Sequence, residues 1–162
     1  MFRLSTRAAI IAGLLAASTL GTVGLTTGVA SATAAAATCK TLTTTGKAQT
    51  SSTGKLTGCT PTAVTGGSAK VTTKQSIATG KGSATITWSG GKGTTTSTFT
   101  FKLNPKGSTI KCATGTILVQ ESSTTTGGTN TKIPKGQKST LYLCANTKTE
   151  ATSLAPGQTY SV

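Results

Sequence analysis

The chain has 162 residues, sixteen of them Lys or Arg against two acidic residues, with no histidine, for a formal net charge of +14. Histidine, aspartate and glutamate supply most general bases, nucleophile partners and metal ligands. With Glu121 and Glu150 as the whole acidic inventory, composition argues against hydrolytic, transfer and metal chemistry, and the expected function is non-catalytic with no cofactor.

Met1 to Arg7 carries Arg3 and Arg7, Ala8 to about Leu20 is apolar, and Ala30-Ser31-Ala32 offers a small-residue cleavage site, with further options through Ala37. Charge, apolar core and small residues in that order predict a secretory signal helix over 1–32. A membrane anchor needs about 20 consecutive apolar residues, and no such run follows, so no transmembrane segment is expected in the mature protein. Cys39 follows Ala36-Ala37-Thr38, which lacks the apolar-small motif of a lipoprotein. The mature chain, 33–162, is the usual size of one domain. It is expected to be secreted, either released or held to the envelope by noncovalent contacts.

The mature chain is rich in Thr, Gly, Ser and Val, a composition that favours strands over helices. Strands are predicted at Lys40 to Thr45, Lys55 to Thr60 and Ala69 to Lys74. In the next, Ala84, Ile86 and Trp88 share one face and Thr85 and Thr87 the other. Ser89-Gly90-Gly91-Lys92-Gly93 is a turn, and Thr98 to Leu103 returns with Phe99, Phe101 and Leu103 facing the core and Lys102 facing water. That period of two marks half-buried antiparallel strands. Further strands are predicted at Thr109 to Ala113, Thr116 to Gln120 and Thr140 to Ala145, with a bulge or corner at Gly115. In the last, Leu141 and Leu143 oppose Tyr142 and Cys144, so both faces are apolar. The expected architecture is all-β: an antiparallel Greek-key β-sandwich of immunoglobulin-like kind with about 7–9 strands.

Four cysteines, Cys39, Cys59, Cys112 and Cys144, lie in the exported part. In an oxidising compartment an even count predicts disulfides; a zinc site lacks both a C-x-x-C pair and a histidine. Of the three possible connectivities, Cys39–Cys59 with Cys112–Cys144 closes two moderate loops, each contributing roughly 3 kcal/mol in the chain-entropy view.

Two resemblances bear on the fold. Gly82-Ser83-Ala84-Thr85-Ile86-Thr87-Trp88-Ser89, with a Gly-rich turn and Ser97-Thr98-Phe99 after it and Gly58-Cys59 before it, resembles a segment of small, uncharacterised secreted actinobacterial proteins. That likeness implies an exported, disulfide-bonded β-sandwich and brings no catalytic residues. The ending Leu154-Ala155-Pro156-Gly157-Gln158-Thr159-Tyr160 resembles the Leu-x-Pro-Gly-x-x-Tyr corner of fibronectin type III domains, which implies a sandwich edge.

Arg3 and Arg7 leave with the signal, so the remaining basic residues are fourteen lysines and the mature net charge is about +12. Such a balance favours polyanions; outside a bacterium these are anionic envelope polymers, acidic glycans, lipid headgroups and shed DNA. Sequence-specific nucleic-acid reading is not expected without arginine, the usual reader of guanine. The candidate polyanion contacts are Lys70 and Lys74, on one strand face with Thr72 between them, and the Lys132, Lys135 and Lys138 group. The competing reading is a solvated surface, since the lysines are spread without a tight cluster. The alternative function is an extracellular protein-binding module, for adhesion or as an effector, using a sheet face or loops. A neutral glycan site would need exposed aromatics, for which Tyr142 and Tyr160 are the candidates.

Remaining motifs carry less. Thr43 to Thr45, Thr94 to Thr96 and Thr124 to Thr126 fit strand edges and loops better than glycosylated stalks, which are proline-rich. An ice-binding face would need a regular repeat. A Lys–Asn crosslink would draw on Asn104 or Asn146 with Glu121, and Thr129-Asn130-Thr131-Lys132 is the nearest approach to a Ser–Lys dyad; chance explains both.

Overall fold

The computed structural model describes residues 35–47 and 50–162; the expected signal segment, 1–32, lies outside them. Ten strands and one short helix follow in chain order. They are β1 (Thr38–Cys39), β2 (Thr41–Lys47), β3 (Ser51–Thr57), α1 (Thr62–Thr65), β4 (Ser68–Ser76), β5 (Lys81–Trp88), β6 (Thr94–Leu103), β7 (Thr116–Gly127), β8 (Lys138–Asn146), β9 (Thr152–Leu154) and β10 (Tyr160–Ser161).

From β3 to β9 each strand pairs antiparallel with the one before it. The wall then closes because β9 returns to β2, pairing Thr43 with Ser153 and Thr44 with Thr152. The fold is therefore a closed eight-stranded barrel in simple up-and-down order, with β1 and β10 forming a separate two-stranded ribbon. This corrects the expected Greek-key, immunoglobulin-like sandwich: there are no two stacked sheets, and no connection crosses between them. The physical reason is that inward/outward alternation is the same in a sandwich and in a barrel. The three-residue β9, which carries no clear periodicity, decides between them.

Inward positions follow the expected phase. Ala84, Ile86 and Trp88 are buried on β5, and Phe99 on β6, while the Thr and Lys residues between them face outward. Leu141 and Leu143 on β8 belong to the barrel core. Their neighbours Tyr142 and Cys144 pack on the outside with Leu118, Ala155, Ile110 and Cys112. Both faces of β8 are thus covered, the outer one by the segment between β6 and β7. That segment includes Thr109 to Ala113, which is irregular and not the expected strand. A strand there would need a ladder partner, but β6 and β7 already pair directly over eight positions. Cys112–Cys144 ties the segment down, and Cys39–Cys59 ties β1 to the connection after β3.

The two barrel ends differ. One is plugged by α1, by the Cys39–Cys59 bridge and by the loop after β7, whose Ile133 enters the core. There the Asn130 side-chain amide donates to the Val64 carbonyl at 2.9 Å. The buried Thr65 hydroxyl bonds to the Cys59 carbonyl at 3.1 Å. At the opposite end, where the β4–β5, β6–β7 and β8–β9 connections lie, the described residues form no such plug.

Gly82 shows how tightly the wall is built. It faces Phe99 across the β5–β6 ladder, and a Cβ there would strike the Phe99 ring and the Lys74 carbonyl. Gly82→Ala is expected to displace Phe99 and destabilise the protein by about 1–3 kcal/mol, the usual range for overpacking. Denaturant unfolding followed by the single Trp88 checks this; an unchanged midpoint would show that Phe99 is free to move.

Candidate functional site

Eight strands leave an interior just wide enough to be filled by side chains or to hold one small ligand. Here the plugged end is filled, and the open end contains a cavity of about 270 Å³. Apolar side chains make most of its wall, among them Leu42, Val71, Phe99, Phe101, Val119 and Leu143. The space exists because small residues such as Ala84 and Ala145 stand at inward positions. Two large apolar side chains, Ile77 and Leu103, are 47% and 45% exposed, and both line this cavity at its mouth. Exposed apolar side chains gathered at a cavity entrance are informative where scattered ones are not.

Polar groups of the interior fall into two sets. Most hydroxyls are matched within the wall. Ser52 Oγ lies 2.8 Å from Thr73 Oγ1, Ser123 Oγ lies 2.7 Å from Ser139 Oγ, and the Trp88 indole N–H donates to Thr95 Oγ1 at 2.8 Å. Glu121 is different. It stands on β7 in phase with Ile117 and Val119, between Phe101 and Leu141 on the adjoining strands, and it lines the cavity. Among the described residues no hydrogen-bond donor of the chain meets its carboxylate. Burial pushes its pKa up to about 7, because a carboxylate in low-dielectric surroundings loses hydration without compensation. Tyr160, buried in β10, lines the same cavity, and its phenol is raised first by burial and then by the charge of Glu121.

The rim adds the second acid. Glu150 lines the cavity from the β8–β9 connection, where its backbone takes a left-handed φ of 58°. Asn146 fixes that turn: its side-chain oxygen accepts from the backbone N–H groups of Lys148 and Thr149, both at 2.9 Å. Both acidic residues of the chain thus border one cavity. Asn146 and Glu121, named above for a Lys–Asn crosslink, share the cavity.

The predicted lysine contacts lie outside the barrel. Lys70 and Lys74 are exposed on β4, flanking Thr72 as the alternation requires. Lys132 and Lys135 are exposed on the loop after β7 and Lys138 at the start of β8. Strands β5, β6 and β7 separate the two groups, so they do not form one surface. What the structure adds is Lys55, exposed and directly opposite Lys70 in the β3–β4 ladder. The row beside them, Thr53, Thr72, Thr85 and Thr96, runs across four strands. An outer face of hydroxyls and lysines is unlike the apolar band of a lipid-facing barrel. Among the described residues no helix is long and apolar enough to cross a membrane. Neither set of Tyr candidates for a glycan site is open on the surface: Tyr160 is buried, and Tyr142 is half-buried beneath the covering segment.

No protein-family model, curated protein or solved structure matches this chain.

Glu121 sets a pH signature. The folded carboxyl holds its proton to about pH 7, whereas an unperturbed one loses it near 4.5. Stability therefore falls as pH rises from 4.5 to 7 and is level above that. Glu121→Gln removes this fall and is expected to raise stability at pH 8 by on the order of 1–3 kcal/mol. Unfolding curves at pH 5 and pH 8 check it; a variant weaker than the parent at pH 8 would mean that the carboxylate has a stabilising partner.

Proposed function

We propose that this chain is a secreted, non-catalytic binding protein that takes a small, mainly apolar molecule into its barrel. The observation that carries the reading is the open, apolar-walled cavity at one end of a barrel whose other end is filled. An apolar void of about 150 Å³ already accommodates benzene, and ligand sites usually measure about 300–1,000 Å³. A cavity of about 270 Å³ suits a molecule of one or two rings or a short alkyl chain. The two disulfides fit an extracellular setting. Titration with a neutral fluorescent naphthalene derivative should give saturable binding. Ala84→Leu, which fills the cavity, is expected to weaken it at least tenfold, as is Ala145→Phe from the rim. Equal binding by both folded variants would place the probe elsewhere and overturn the reading.

A second reading, contact with anionic envelope polymers through lysines, has one specific observation in its favour. Like charges directly opposite in a ladder destabilise it, and Lys55 faces Lys70 with Thr and Ser at the nearest positions of the same face, Thr43, Thr53, Thr57, Ser68, Thr72 and Thr87. A bound polyanion relieves that repulsion. Retention on isolated cell envelopes at low salt and release at high salt is the expected behaviour, reduced in Lys55→Gln/Lys70→Gln. Retention at both salt levels would point instead to an extracellular protein partner.

A further inference from the structure

We infer that the molecule held in the barrel is a small amphipathic amine, its hydrocarbon against the apolar wall and its cationic nitrogen on the Glu121 carboxylate. This rests on the cavity being the ligand site, as proposed above, and adds the chemical class of the ligand.

The inference starts from where charge is placed. The mature chain carries fourteen lysines and two glutamates. If side chains were distributed by solvation alone, both acids would sit outside among the lysines, where ion pairs cost little. Instead both border the same apolar-walled cavity. Glu121 occupies an inward β7 position where the pattern of Ile117 and Val119 calls for an apolar residue. Its burial is unfavourable in the unliganded chain, and no hydrogen-bond donor among the described residues offsets that cost. The surrounding elements present Phe101 from β6, Leu141 from β8, Tyr160 from β10 and Glu150 at the rim. Of these, the titratable groups are the phenol and the second acid, neither of which supplies positive charge.

Ligand classes can be compared on those terms. A carboxylate or phosphate would meet the like charge of Glu121 in a low-dielectric space, where repulsion is strongest. A metal ion would find too few donors, since the described residues contain no group of three metal-binding side chains. A neutral apolar molecule would fit the wall but leave the Glu121 carboxylate unpaired. An amine supplies N⁺–H donors to the carboxylate, a charge-assisted pairing roughly twice as strong as a neutral hydrogen bond. Glu150 at the mouth adds attraction along the entry path. The basic outer surface, in turn, disfavours adsorption of a cation anywhere else.

The test uses the intact mature protein and three probes of equal chain length: octylamine, octanol and octanoate, titrated calorimetrically at pH 8. Octylamine is expected to bind at least tenfold more tightly than octanol, and octanoate more weakly than either. In Glu121→Gln the amine should lose that advantage while octanol binds as well or better. Lowering the pH of the parent to 5, where Glu121 is protonated, should erode the preference in the same way. Glu150→Gln, on the exposed rim, gives a second variant and should lower the amine advantage to a smaller extent. If octanol and octylamine bind the parent equally, or octanoate binds best, the amine inference is overturned while the cavity reading stands. If none of the three binds, the cavity reading falls as well.

Discussion

The return of β9 onto β2 is the constraint on which the other features depend, although it rests on two residue pairs, Thr43 with Ser153 and Thr44 with Thr152. Without it the sheet would present two free edges, the usual liability of β proteins, and its inward face would open to water. With it, each strand from β2 to β9 has a partner on both sides, and one set of side chains is enclosed. The outward set can then be almost wholly hydroxyl and lysine. Closure also explains how a chain with so few aromatics sustains a core, because eight short strands share a single narrow interior.

Enclosure forces a decision about every inward polar group. The barrel handles Thr and Ser by pairing them across neighbouring strands, as in Ser52 with Thr73 and Ser123 with Ser139. It pairs the Trp88 N–H with Thr95 in the same manner. Such matched pairs cost little to bury. Glu121 stands apart from that pattern, unmatched and shifted toward neutrality, and it does so in the half of the barrel that is not filled. Perturbed groups in cavities are recurrent markers of function. Here the perturbation coincides with an open mouth flanked by exposed Ile77 and Leu103.

The charge distribution has two regions. Lysines carry the outside, with Lys55 and Lys70 opposed on β3 and β4, and carboxylates border the inside. A low-dielectric interior magnifies the effect of its own few charges, whereas the outer charges are screened within about 8–10 Å at ordinary ionic strength. The acidic side chains at the cavity and the lysines of the outer face therefore act on their surroundings separately.

Local features were legible in the sequence because they depend on near neighbours. Alternation in β5 and β6 assigned Ala84, Ile86, Trp88 and Phe99 to the interior, and loop lengths favoured the two disulfides that form. The apolar character of both faces of β8 was legible, but which face met the core was not; Leu141 and Leu143 do, and Tyr142 and Cys144 pack in the separate outer cluster. Glu121 also left a trace, as a charge at an inward position of β7. What only the tertiary structure decided was closure in place of a sandwich, the irregular course of Thr109 to Ala113, and the meeting of Glu121, Glu150 and Tyr160 around one cavity. These depend on pairings between residues far apart in the chain, notably β2 with β9. A period of two records which side of a strand is buried; it holds no information about which strand lies next to it, nor about how much space the enclosed side chains leave.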